Sequence, residues 1–128
     1  MRVLIAGAVA WEDKETIRKE LLSLPHPIFV LHGDAPGADE LGGKVAKELG
    51  LEVKVFRKNE EDYRRFNRGA WKGLNERMLA SGVDFILAFH PAIEKSRGTK
   101  HLLGLAKDLK IPSKIIPNSD QTKGTKER

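Results

Sequence analysis

The sequence predicts an α/β fold of three layers, a five-stranded parallel sheet in the order 3-2-1-4-5 between helices. Three observations predict it. Short apolar runs alternate with amphipathic stretches along the chain. The runs at residues 3–6 and 83–89 are nearly continuous, as strands covered on both faces are. The stretches 7–11, 32–39 and 90–99, which follow three of the runs, are rich in Gly, Pro and small polar residues. Strand and helix in this alternation imply crossover connections, and right-handed crossovers place the first strand centrally.

Taken in order, residues 3–6 form the first strand, ended by Gly7. Asp13 caps a helix whose apolar positions Ile17, Leu21 and Leu24 recur at helical spacing, and Pro25 and Pro27 stop it. Residues 28–31 give the second strand, which ends at His32 and Gly33. Ala38, Leu41, Val45 and Leu49 form the stripe of a second helix, terminated by Gly50. Residues 51–56 read as the third strand. Tyr63, Phe66, Ala70, Leu74 and Met78 fit a helix that Gly69 and Gly73 interrupt, so a helical, lid-like segment leads into a firmer helix near residues 74–80. Residues 83–89 form the fourth strand, apolar apart from Asp84. Ser96 or Thr99 caps a helix carrying Leu102, Ala106 and Leu109, and Ile111-Pro112 leads into a short last strand around Ile115 and Ile116. The reading is one domain over residues 1–117 and a flexible tail over 118–128, which has no apolar anchors.

Composition narrows the class. The chain has 128 residues, 40% hydrophobic and 32% charged, a globular balance rather than a disordered one. There is no cysteine, which excludes disulfide frameworks, thiolate zinc sites and cysteine nucleophiles and is compatible with a reducing compartment. No apolar run approaches the roughly 20 residues that span a bilayer, and Glu12 and Asp13 interrupt the apolar start too soon for a secretory signal. The expectation is a cytoplasmic enzyme or binding domain with no membrane partner. His32, His90 and His101 are widely separated, without the close-spaced pair of a zinc site, so neither a metal nor a cofactor is expected.

The net charge is +5, and residues 54–77 carry eight basic side chains against four acidic ones. Such a segment attracts phosphate-bearing ligands, nucleotide or nucleic acid, or is simply a solvated surface. Tyr63, Phe66 and Trp71 within it are expected to pack in the core, with a homo-oligomer contact as the alternative.

In an open parallel sheet, ligands bind beyond the carboxyl ends of the strands, where the strand order reverses. That places a crevice among the loops 7–11, 32–39 and 90–99. The best-defined motif is His32-Gly33-Asp34-Ala35-Pro36-Gly37-Ala38-Asp39. Gly33 and Gly37 let the backbone turn tightly and approach a ligand, and the amides opening the next helix suit an anion. It is neither the dinucleotide fingerprint nor a P-loop. His32 stacks on a ligand or packs under the loop; Asp39 caps the turn, holds a ribose hydroxyl or polarises a water. The second motif is Ser96-Arg97-Gly98-Thr99, where a helix start and a guanidinium form a phosphate cradle or merely a cap.

Together with Gly7 and Trp11 after the first strand, Asn75 with Met78, and Gly98-Thr99, the His-Gly-x-Ala-x-Gly-Ala-Asp stretch resembles the SLOG superfamily. That is the Rossmann-like group related to LOG phosphoribohydrolases and DprA, and the resemblance is nearest to its YspA-like branch. It covers residues 2–116. Where relatives carry arginine this chain has Val9 and Leu74, and where LOG-type hydrolases carry a glutamate after the Gly-Thr pair it has His101 and Leu102. The resemblance implies binding of a nucleotide or nucleotide-derived ligand and, for some relatives, cleavage of an N-glycosidic bond. The residues expected at the ligand are Gly7, Ala8, Trp11, His32, Gly33, Ala35, Gly37, Ala38, Asn75, His90, Arg97, Gly98 and Thr99. Asp39, Asp34 and Glu94 are the carboxylates available to stabilise an oxocarbenium-like sugar or activate water. The alternatives are a non-catalytic sensor of a nucleotide signal and a DNA-binding protein that uses residues 54–77.

Overall fold

The computed structural model describes residues 1–118; most of the tail predicted at 118–128 lies outside the described residues. Five parallel strands, β1 (Arg2–Gly7), β2 (Phe29–His32), β3 (Glu52–Val55), β4 (Phe85–Phe89) and β5 (Ser113–Ile116), form one sheet in the order β3-β2-β1-β4-β5. The helices are α1 (Lys14–Leu22), α2 (Ala38–Glu48), α3 (Glu60–Phe66), α4 (Trp71–Ala80) and α5 (Gly98–Asp108). This is a three-layer, Rossmann-like α/β fold with the predicted strand order.

Alternation along β1 explains the layers, because successive side chains on a strand point to opposite faces. Val3 and Ile5 join Ile17, Leu21, Val30, Val45, Leu87 and Phe89 in one core, covered by α1 and α2. Leu4 and Ala6 join Leu31, Leu74, Met78, Ile86, Leu102 and Ala106 in the other, covered by α4 and α5. All four of these β1 side chains are buried, which is why the run is unbroken in the sequence. Asp13 caps α1, its carboxylate accepting from the Thr16 amide at 3.2 Å, and Gly50 ends the α2 connection at φ +77°.

The segment between β3 and β4 differs from expectation in two respects. The break falls at Asn67–Gly69, a short 3-10 turn entered at Asn67 with φ 52°, whereas Gly73 lies inside α4. Gly73 is there because the Asp62 carboxylate packs against its bare Cα. Arg77 then forks onto that carboxylate, donating from Nε at 3.2 Å and from Nη2 at 2.6 Å. Tyr63, Phe66 and Trp71 do not join either core: Tyr63 is exposed and the other two are half-buried. Their pattern is that of a helix pair stitched by charge rather than by aromatic packing. Among the described residues, no helix is long and apolar enough to cross a membrane.

Candidate functional site

β1 sits between β2 and β4, the connections after β1 and after β4 leave to opposite faces of the sheet, and a cleft opens at their carboxyl ends. The backbone there is fixed first. Gly7 lies so close to the Phe89 carbonyl that a Cβ would collide with it, and the Ala8 amide donates to that oxygen at 2.8 Å. The loop from Ala8 then folds onto the start of α2, where the Ala38 amide donates to the Ala8 carbonyl at 3.0 Å. Gly37, at φ +77°, meets the Ala8 and Val9 carbonyls. Its missing side chain therefore makes room for a neighbouring loop.

Above this floor lies a cavity of about 210 Å³. Of the residues expected at the ligand, Gly7, Ala8, Ala35, Asn75, His90, Gly98 and Thr99 line it, with Asp34 and Asp39. The loops bearing the two motifs thus converge on one space. Trp71, Leu74 and Met78 of α4, Leu102 of α5 and Lys58 after β3 complete the wall.

The charges are unequal in role. Lys58 donates to Asp34 from its backbone amide at 2.9 Å and from Nζ at 2.6 Å. Burial alone would raise the Asp34 carboxyl, but those bonds and the lysine charge hold it below the ordinary carboxylate range. Asp34 is therefore a fixed anion that holds Lys58 at the cavity edge. Asp39 is the opposite case: buried, it is pushed up to about 7 by loss of water and by the nearby Asp34 charge, against the pull of the Ala35 and Gly33 amides. A carboxyl in that range exchanges its proton near neutral pH.

The facing wall is tied together by Asn75. Its Nδ2 donates to the Gly98 carbonyl and to His101 Nδ1, both at 3.1 Å. His101 is thus an acceptor at Nδ1, and burial with the nearby Lys72 charge lowers its pKa; its ring meets Trp71 edge-on at 5.3 Å. His90 accepts the Ala92 amide at Nδ1, which leaves Nε2 to carry the proton of the neutral ring. Ser96 accepts the Thr99 amide at 3.0 Å, capping α5. A Cβ at Gly98 would meet no atom within 4 Å, so the start of α5 is open where the start of α2 is covered.

The remaining expected residues lie elsewhere. His32 is not in the cavity: its Nδ1 donates to the Gly33 carbonyl at 2.7 Å and its Nε2 packs against Gly43 under α2. Burial, then the Lys47 and Arg57 charges, keeps that imidazole below its ordinary pKa despite the Gly33 bond. Trp11 is buried against Phe89, ring centroids 5.5 Å apart, with Nε1 donating to the Asp13 carbonyl. Ala38 is fully buried, and Gly33 holds its bare Cα toward the Asp39 carboxylate. Glu94 and Arg97 are exposed and line a neighbouring groove with Trp71. Among the lining residues that sequence reasoning did not assign to the site, Lys58 and Trp71 come from the ends of other elements, and only the basic and aromatic character of 54–77 hinted at them.

The Gene 61 protein of Mycobacterium phage D29 is 32% identical to the chain over 119 residues, covering 87% of this chain and 92% of the phage protein. No protein-family model and no solved structure matches the chain.

Proposed function

The chain belongs to the family of the Gene 61 protein of Mycobacterium phage D29, and we propose that it is also a SLOG-superfamily protein of the YspA-like branch whose cavity binds a nucleotide or nucleotide-derived molecule. One observation carries this reading. At the switch point between β1 and β4, the uncovered start of α5 faces a cavity that also holds a carboxyl able to bind sugar hydroxyls, Asp39, and an anchored cation, Lys58. Helix amides suit the phosphate, and the carboxyl side suits the ribose. The ion pairs that engage Arg64, Arg65 and Arg77 on α3 and α4 favour a small anion over nucleic acid, since they already neutralise much of the basic segment.

The test is thermal unfolding with adenosine, AMP, GMP, CMP and UMP, beside mass spectrometry of small molecules retained on purification. A ligand at about 100 times its Kd adds about 2.7 kcal/mol to folding stability, so at least one monophosphate raises Tm by several degrees while adenosine does not. If no monophosphate shifts Tm and nothing is retained, the reading fails.

Asp39 favours a second reading, hydrolysis of an N-glycosidic bond. In that reaction the C1′–N bond breaks with its electron pair on the base nitrogen, a carboxyl supplies the proton that nitrogen takes, and water adds to C1′ as its released proton returns to the carboxylate. Release of free base from the bound monophosphate, lost in Asp39→Asn even when the monophosphate is saturating, is the expected result; binding without base release by the parent leaves a sensor.

A further inference from the structure

Beside the cavity runs an open groove of about 570 Å³, joined to it across Trp71 and Ser96, which line both. Lys72 of α4, Lys95 and Arg97 of the preceding loop, and Lys100 of α5 face it, against the single carboxylate of Glu94. These four cations come from different elements and converge on one concave surface. Among the described residues none of them has an ion-pair partner; Lys72 Nζ lies over the Trp71 ring, 5.5 Å from its centroid. Lys14, Arg18, Lys58, Arg65, Arg77 and Lys114 are each paired with a carboxylate; what sets these four apart is that they line one concave surface together. A concave patch of one sign focuses its field and collects counter-charge.

We propose that this groove is a subsite for the distal phosphates of a nucleoside di- or triphosphate whose first phosphate lies at the start of α5. The proposal rests on the reading of the cavity given above and extends it: the shared lining at Ser96 lets a phosphate chain leave the cavity and pass over Arg97 toward Lys100 and Lys72. Phosphate oxygens would take charge-assisted bonds from these side chains, and the groove's volume of about 570 Å³ leaves room for them.

The experiment is isothermal titration of the full chain with AMP, ADP and ATP in magnesium-free buffer, so that the phosphates keep their charge. ATP is expected to bind about tenfold or more tightly than AMP, with the ratio shrinking toward one at about 1 M salt as the screening length falls to roughly 3 Å. The double variant Arg97→Glu, Lys100→Glu, both exposed positions, collapses the ATP-to-AMP ratio, and a Tm near the parent's confirms that it folds. AMP binding with ATP no tighter overturns the groove and leaves the cavity reading standing. Where another monophosphate is the one that raises Tm, its own di- and triphosphate replace ADP and ATP; failure of every nucleotide in the set sinks both readings. Tighter binding of a short single-stranded DNA that displaces ATP overturns the assignment in favour of a nucleic-acid surface.

Discussion

Asp39 sits at the first turn of α2 with its carboxylate against Gly33 and the cavity beside it. Its place near a helix start is legible in the sequence; its burial is not, because that depends on α4 closing over it. With the folded pKa near 7 and an unfolded value near 3.9, the folded chain holds a proton over that window which the unfolded chain has released. Stability from Asp39 therefore falls as pH rises through the window and stays low above it. His32 acts with the opposite sign, since a ring kept neutral in the fold loses stability as pH falls through the usual imidazole range. Asp34 and Asp62, both lowered, lose theirs in acid. Urea denaturation of the parent and Asp39→Asn across pH isolates the carboxyl. Their stability difference should grow from near zero at about pH 4 to on the order of 2–4 kcal/mol in favour of the variant above pH 7. Parallel curves would show that Asp39 ionises normally.

At the scale of elements, the site depends on how α5 starts and how α4 holds it. The Ser-Arg-Gly-Thr stretch announced a capped helix, and Ser96 supplies the cap to the Thr99 amide. Ser96→Ala should cost about 1 kcal/mol, read from thermal unfolding, and should weaken monophosphate binding further by loosening the first turn. Equal stability in the two proteins would mean that solvent replaces the cap. Asn75 could be singled out from the chain, but not its partners: the Gly98 carbonyl and His101 lie 23 and 26 residues away and meet it only after two helices pack. The same limit moved His32. A strand end points into the crevice or beneath a helix according to register, and here Ile5 pairs with His32 while Gly43 leaves the ring a space under α2.

Across the whole molecule, the strand order follows from alternation and crossover rules, so the sheet was legible almost entirely; Lys58 and Trp71 were not, being brought to the cavity by the packing of distant parts. The central strands carry the two cores, with Val3, Leu4, Ile5, Ile86 and Leu87 wholly buried, whereas three of the four residues of β5 are exposed. Hydrogen exchange should accordingly be slowest in β1 and β4 and faster in β5 by about tenfold or more, the edge opening without global unfolding; uniform protection would indicate a single cooperative unit. The close seating of Gly37 on the Ala8 and Val9 carbonyls, with Gly7 against Phe89, carries a mechanical meaning. Two connections so interlocked cannot separate without breaking both, which leaves half of the cleft as an anvil. Any accommodation to a bulkier guest must then be one-sided, a swing of α4 and α5 away from an unyielding partner.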